Sequence, residues 1–141
     1  MRWLGVDPGE ARVGLAISDP DARYALPLEV VPASAAFPAI RAIVAREGIR
    51  GVVVGIARLP SGDEGDAARM ARRLGERVRE ALSVTVEYED ETLTSQQAEQ
   101  IAGRARPSDD VAASLLLQQF LDRGGAQAGS RGEAGDTDAD A

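Results

Sequence analysis

The segment Gly51-Val52-Val53-Val54-Gly55-Ile56 is apolar throughout and lacks the alternation of a strand with one face in water. Such a strand is buried on both faces, which requires elements packed above and below a mixed or parallel sheet and points to an α/β fold. The flanking segments fit that architecture. Upstream, Trp3 to Val6 reads as a strand, Pro8-Gly9-Glu10 as a turn, and Val13 to Ser18 as the returning strand of a hairpin, with Leu26 to Val31 as a third strand. Pro38 to Arg46 places Ile40, Ile43 and Val44 on one helical face, and Gly48 ends that helix.

Beyond the Pro60-Ser61-Gly62 loop comes a long amphipathic helix with Ala67, Met70, Ala71, Leu74, Val78 and Leu82 as its core stripe. It returns the chain to a strand, Val84 to Glu89, with Val84, Val86 and Tyr88 on one side. Thr94 and Gln97 form a capping box for the helix that follows Glu91. Ser108 caps a last helix whose Leu115, Leu116, Leu117, Phe120 and Leu121 are too apolar for a surface. From Gly124 the chain is small, polar and acidic without periodicity, so a single domain over 1–123 is expected to end in a disordered tail, 124–141.

Composition removes whole classes of chemistry. With neither cysteine nor histidine, disulfides, thiolate or imidazole metal sites and Ser-His-Asp or Cys-His catalysis are excluded, which leaves carboxylates, hydroxyls and arginines. There is no apolar run of membrane-spanning length and no secretory signal after Met1-Arg2, so the expected address is cytoplasmic, with no membrane partner. The net charge is -7, of which residues 124–141, with Arg131 against Glu133, Asp136, Asp138 and Asp140, carry -3. Arg69, Arg72, Arg73, Arg77 and Arg79 fall within one helix; their plain reading is a solvated face with i,i+4 ion pairs such as Arg72 with Glu76. The aromatics Trp3, Tyr24, Phe37, Tyr88 and Phe120 sit mostly at core-like positions and offer no base-stacking platform.

Three acids stand at the ends of different elements: Asp7 after the first strand, Glu91 after the last, and Asp109 at the start of the leucine-rich helix. Singly, each has an ordinary explanation. Asp-Pro-Gly is a common turn, a glutamate at a strand end is commonly solvated, and an acid in a first helical turn gains about 0.3–1 kcal/mol from the helix dipole. Brought together by a sheet, the three would repel one another and bind a divalent cation, as hard cations prefer oxygen ligands. Asp110 points about 100° away around the helix from Asp109. Arg12, Arg58, Arg104 and Arg106 could then hold a phosphate backbone by bidentate hydrogen bonds.

The order of elements resembles the ribonuclease H fold, and the motifs make the resemblance specific. Leu4-Gly5-Val6-Asp7-Pro8-Gly9-Glu10-Ala11-Arg12-Val13-Gly14-Leu15-Ala16, Val53-Val54-Gly55-Ile56, Asp90-Glu91-Thr92-Leu93-Thr94-Ser95 and Asp109-Asp110-Val111-Ala112-Ala113-Ser114-Leu115-Leu116-Leu117-Gln118 together resemble the YqgF family, also called RuvX-like. The resemblance implies an α/β ribonuclease H-like fold: a central mixed five-stranded sheet with flanking helices. It also implies a nuclease dependent on Mg2+ or Mn2+ at Asp7, Glu91 and Asp109, acting on RNA at the 5′ end of pre-16S ribosomal RNA. The alternatives are a Holliday-junction resolvase acting on branched DNA, or a non-catalytic nucleic-acid-binding factor in transcription or ribosome assembly; a homodimer is compatible with each. Two departures from the family pattern are Thr92, where arginine is usual, and Ala57-Arg58-Leu59 in place of Pro-Leu-Asn. The Asp-x-Gly hairpin also resembles the phosphate loop of actin-like ATPases and sugar kinases, which need two such domains around a nucleotide.

Overall fold

The computed structural model describes residues 1–91 and 107–127. Five strands, β1 (Arg2–Pro8), β2 (Arg12–Ser18), β3 (Ala25–Pro32), β4 (Ile49–Ile56) and β5 (Thr85–Asp90), form one sheet in the order β3-β2-β1-β4-β5. β1 pairs antiparallel with β2, and β2 with β3, whereas β1 with β4 and β4 with β5 are parallel. The sheet is therefore mixed, as expected. Helices α1 (Ala36–Glu47), α2 (Asp66–Leu82) and α3 (Asp109–Asp122) flank it. The hairpin closes through the Gly9 N–H, which donates to the Arg12 carbonyl at 2.9 Å. Gly48, at φ +64°, ends α1 in the left-handed conformation that costs glycine little.

Strand alternation sorts the core into two. Leu4, Val6, Leu15, Val52, Val54 and Ile56 point to the face covered by α1 and α2, where they meet Ile40, Ile43, Ala71 and Val78. Trp3, Ala16 and Val53 point to the other face and meet Ala113, Leu117 and Phe120 of α3. Val52, Val53 and Val54 are all fully buried, so β4 has protein on both faces, each side chain contributing about 1.5–3 kcal/mol of transfer free energy before entropy is counted. α3 approaches its face closely. A Cβ at Gly5 would stand 2.9 Å from the Leu117 Cβ, and one at Gly14 would overlap the Asp109 carbonyl oxygen. The missing side chains on β1 and β2 thus let the first turn of α3 rest on the hairpin, which puts Asp109 near the end of β1. Farther along α3, the Gln118 side chain accepts from the Ala25 N–H at 2.8 Å and donates to the Arg23 carbonyl at 2.9 Å, fixing the helix to the start of β3.

Several local expectations are corrected. In α2 the buried positions are Ala68, Ala71, Gly75 and Val78, while Ala67 is exposed. Small residues let α2 lie close on the sheet, with Gly75 directly against the Tyr88 ring, and Leu74 and Leu82 are left partly buried at the margin. Arg72 does not pair with Glu76; it makes a two-pronged bond to Glu64 at 2.6 Å, while Glu76 takes Arg79 and the Tyr88 hydroxyl. Ser108 occupies the N-cap position of α3 but makes no side-chain cap bond. Leu116, Leu117 and Phe120 are buried, whereas Leu115 and Leu121 are only partly so. Packing also continues past the expected boundary at 123/124, since Ala126 is buried in the Trp3 and Phe120 cluster. The Thr94 and Gln97 capping box, and the tail from 128 onward, lie outside the described residues.

Candidate active site

The carboxyl ends of β1 and β5 flank that of β4. Val6 is level with Val54, and Glu89 is level with Gly55, so Asp7 and Glu91 face each other across the end of β4. Asp7 follows the alternation of Trp3 and Gly5 and points to the α3 face. Glu91, just beyond Asp90, turns back over Gly55. A Cβ on Gly55 would stand 2.7 Å from the Glu91 Cγ and 2.8 Å from its Cδ, so the glycine is the gap through which the side chain crosses the strand. The crossing ends in a hydrogen bond between the carboxyl groups of Glu91 and Asp7.

Both acids are held protonated more strongly than ordinary carboxyls. Burial pushes Glu91 up first, its proton donated to Asp7 adds to this, and the charges of Asp7 and Asp90 add again, to about 10. Asp7 is also raised, chiefly by burial and further by the charge of Asp109, with the hydrogen bond from Glu91 pulling the other way. Two buried carboxyls in contact cannot both ionise, so the pair shares a proton at neutral pH.

Asp109 stands at the first position of α3 and is differently engaged. Its Oδ2 accepts from Arg12 Nε at 3.0 Å, in a pair open to solvent. Asp110 accepts from the Val111 N–H at 3.0 Å. Among the described residues no three acids form a group close enough to hold a metal ion. Of the three acids expected to converge, Asp7 and Glu91 are in contact, while Asp109 acts on Asp7 through its charge and is turned to Arg12. The physical reason is repulsion: a shared proton and a guanidinium neutralise negative charge that would otherwise accumulate. The donor set fits a hard divalent cation, because it is all oxygen and the contact of two buried carboxyl groups, Asp7 and Glu91, with Asp109 nearby concentrates negative charge at one place.

The other arginines singled out from the sequence divide. Arg12 lies at the site. Arg58, after β4, is engaged by acids, with Nε 3.4 Å from Asp90 and Nη1 3.6 Å from Glu64, and donates to the Gly62 carbonyl at 3.3 Å. It braces the loop that follows β4 and is not a free phosphate donor. Arg104, Arg106 and Thr92 lie outside the described residues.

Sequence reasoning passed over Glu89. Only 6% exposed, it accepts from Gln119 Nε2 at 2.7 Å and from Arg123 Nε at 2.8 Å. This clasp ties the last turn of α3 to β5 two residues before Glu91. The strand pattern places Glu89 opposite Val86 and Tyr88, where a glutamate reads as solvated. The i,i+4 spacing of Gln119 and Arg123 was the one available signal that a helix covers it.

A mixed five-stranded sheet in this order, with acids at the ends of the two strands that flank β4 and a further acid at the start of α3, defines a ribonuclease H-like domain. Solved structures agree on the fold: Thermus thermophilus RuvC has a TM-score of 0.59 at 19% identity, over 89% of this chain and 97% of that one. RuvC of the same organism in complex with Holliday junction substrate has a TM-score of 0.57 at 18% identity, over 86% and 93%. The chain belongs to the RuvX family, described as Holliday junction resolvase, whose model matches residues 1–123. Relatives named "Putative pre-16S rRNA nuclease" include one from Chloroflexus aggregans, 41% identical over 84% of this chain and 92% of its own length. Another, from Lactobacillus gasseri, is 35% identical over 86% of this chain and 96% of its own.

Proposed function

We propose that this protein is a nuclease that hydrolyses phosphodiester bonds in RNA, at the 5′ end of precursor 16S ribosomal RNA in the cytoplasm, with Mg2+ or Mn2+ held by Asp7, Glu91 and Asp109. The observation that carries this reading is the contact between the buried carboxyl groups of Asp7 and Glu91 across Gly55. A buried acid pair of this kind costs stability in the absence of a cation, and structural needs would be met as well by apolar residues. When bound, the cation would polarise the scissile phosphate and lower the pKa of the attacking water. Asp7 and Glu91 would hold the ion as carboxylates, the proton between them being lost to solvent. Arg12, solvent-exposed beside Asp109, offers its remaining donors to a backbone phosphate. With no histidine in the chain, proton transfers pass through carboxylates or water.

Family membership favours a second substrate, branched DNA, and one assay separates the two. Labelled precursor RNA and a four-way DNA junction are incubated with the protein in Mg2+, Mn2+ or EDTA. RNA cleavage is expected with either ion, with near-complete loss in EDTA and in Asp7→Asn, Glu91→Gln and Asp109→Asn, and with most activity retained in Asp110→Asn. Activity in EDTA would overturn the metal reading, and junction cleavage without RNA cleavage would move the substrate to DNA.

A further inference from the structure

Among the described residues, eight arginines pair with a carboxylate, and Arg23, Arg41, Arg50, Arg73 and Arg77 do not. In a chain with 23 acids against 16 bases, arginines left without carboxylates are conspicuous where they cluster. Three of the five do. Arg41 of α1 and Arg77 of α2 lie over the same ring, Phe37, with their guanidinium carbons 5.9 Å and 3.9 Å from its centroid. Arg73 stands one turn before Arg77 on α2 and is exposed. Stacking uses the flat face of a guanidinium and leaves its edge donors free. Phe37 therefore holds two guanidinium groups near its ring without consuming their hydrogen bonds, and the like charges gain from a nearby anion. The other arginines of α2 are spent: Arg69 on Asp66, Arg72 on Glu64 and Arg79 on Glu76.

We propose that Arg41 and Arg77 over Phe37, with Arg73 one turn before Arg77 on α2, form a phosphate-binding surface on the α1 and α2 face that holds the nucleic-acid strand beyond the bond being cut. The surface lies on the opposite side of the sheet from α3. α1 leads away from the active-site end, where the Ala33 N–H just before it donates to the Ala11 carbonyl at 2.9 Å beside Arg12. A strand that rounds the active-site end of the sheet from the α3 face onto this helix pair would meet the patch. Guanidinium edges on phosphates carry no base information, so the surface adds grip and register without sequence preference. The inference rests on the nucleic-acid reading above.

The test is a salt titration of binding. Fluorescence anisotropy follows a labelled single-stranded RNA and the full chain in Ca2+, for the wild type, for Arg41→Gln/Arg77→Gln, and for the charge-matched pair Arg23→Gln/Arg50→Gln, with thermal melts to confirm folding. Two lost phosphate contacts lower the slope of log affinity against log salt by about 1.4, and affinity at low salt by about tenfold, in Arg41→Gln/Arg77→Gln only. An unchanged slope in that variant, or an equal fall in the charge-matched pair, overturns the surface. A wild type that binds no RNA overturns the nucleic-acid reading and the surface with it.

Discussion

Replacing Gly55 with alanine puts a methyl group where Glu91 crosses β4. The new carbon would stand 2.7 Å from Cγ and 2.8 Å from Cδ of Glu91, against the 3.5–4.0 Å of a comfortable carbon contact, so one partner must move by about 1 Å. Gly55 lies inside a regular strand and is not among the glycines with positive φ, so the backbone accepts alanine. β4 is locked on both faces, whereas Glu91 is the end of a flexible side chain, and it is Glu91 that yields. The stability cost is then about 1 kcal/mol, the net worth of its hydrogen bond to Asp7. Catalysis suffers more: misplacing a reacting group by about 1 Å costs about 100-fold, or roughly 2.7 kcal/mol in the barrier. Initial rates on precursor RNA in saturating Mg2+, measured beside thermal melts, should show that imbalance. A variant within about threefold of wild-type activity would refute the argument that Glu91 needs the gap.

Two other expectations follow from the same packing. Because the folded state holds the Glu91 proton well above the usual carboxylate range, it binds more protons than the unfolded chain between about pH 5 and the raised folded value. Stability of the metal-free protein is therefore fully present at low pH within that window and falls as pH rises, by up to about 1.4 kcal/mol per pH unit. With no histidine or cysteine to titrate, melts in EDTA between pH 6 and 9 isolate the effect, and Glu91→Gln should flatten the curve; a wild-type melting temperature that rises with pH would contradict the shared proton. At the other end of the chain, truncation after Arg123 removes Ala126 from the Trp3 and Phe120 cluster, whereas truncation after Gln127 keeps it. The shorter chain should melt about 3–6 °C lower, for about 1 kcal/mol of lost burial, and equal melting temperatures would show that residues 124–127 contribute nothing to the core.

The sequence by itself determined the strands and the end of the sheet at which Asp7 and Glu91 stand. The unbroken apolar runs of β1, β2 and β4 are consequences of burial on both faces, and burial is written in side-chain polarity along the chain. Asp7 stands out in the sequence because it interrupts an apolar run where β1 ends, and Glu91 because it follows the last strand. What a side chain meets on the far side of a contact was not legible, because that depends on how closely non-local elements approach. Arg72 has a carboxylate one helical turn away at Glu76, yet the fold brings Glu64 within its fork and gives Glu76 to Tyr88 and Arg79. Glu89 reads as a solvated residue until α3 lays Gln119 and Arg123 over it. Asp109 reads as one of three acids, and tertiary structure gives it Arg12 as partner while Asp7 and Glu91 meet across Gly55. Local pattern fixes which way a residue points; the balance of charge and desolvation among residues distant in sequence fixes its partner, and only the packed sheet and helices set that balance.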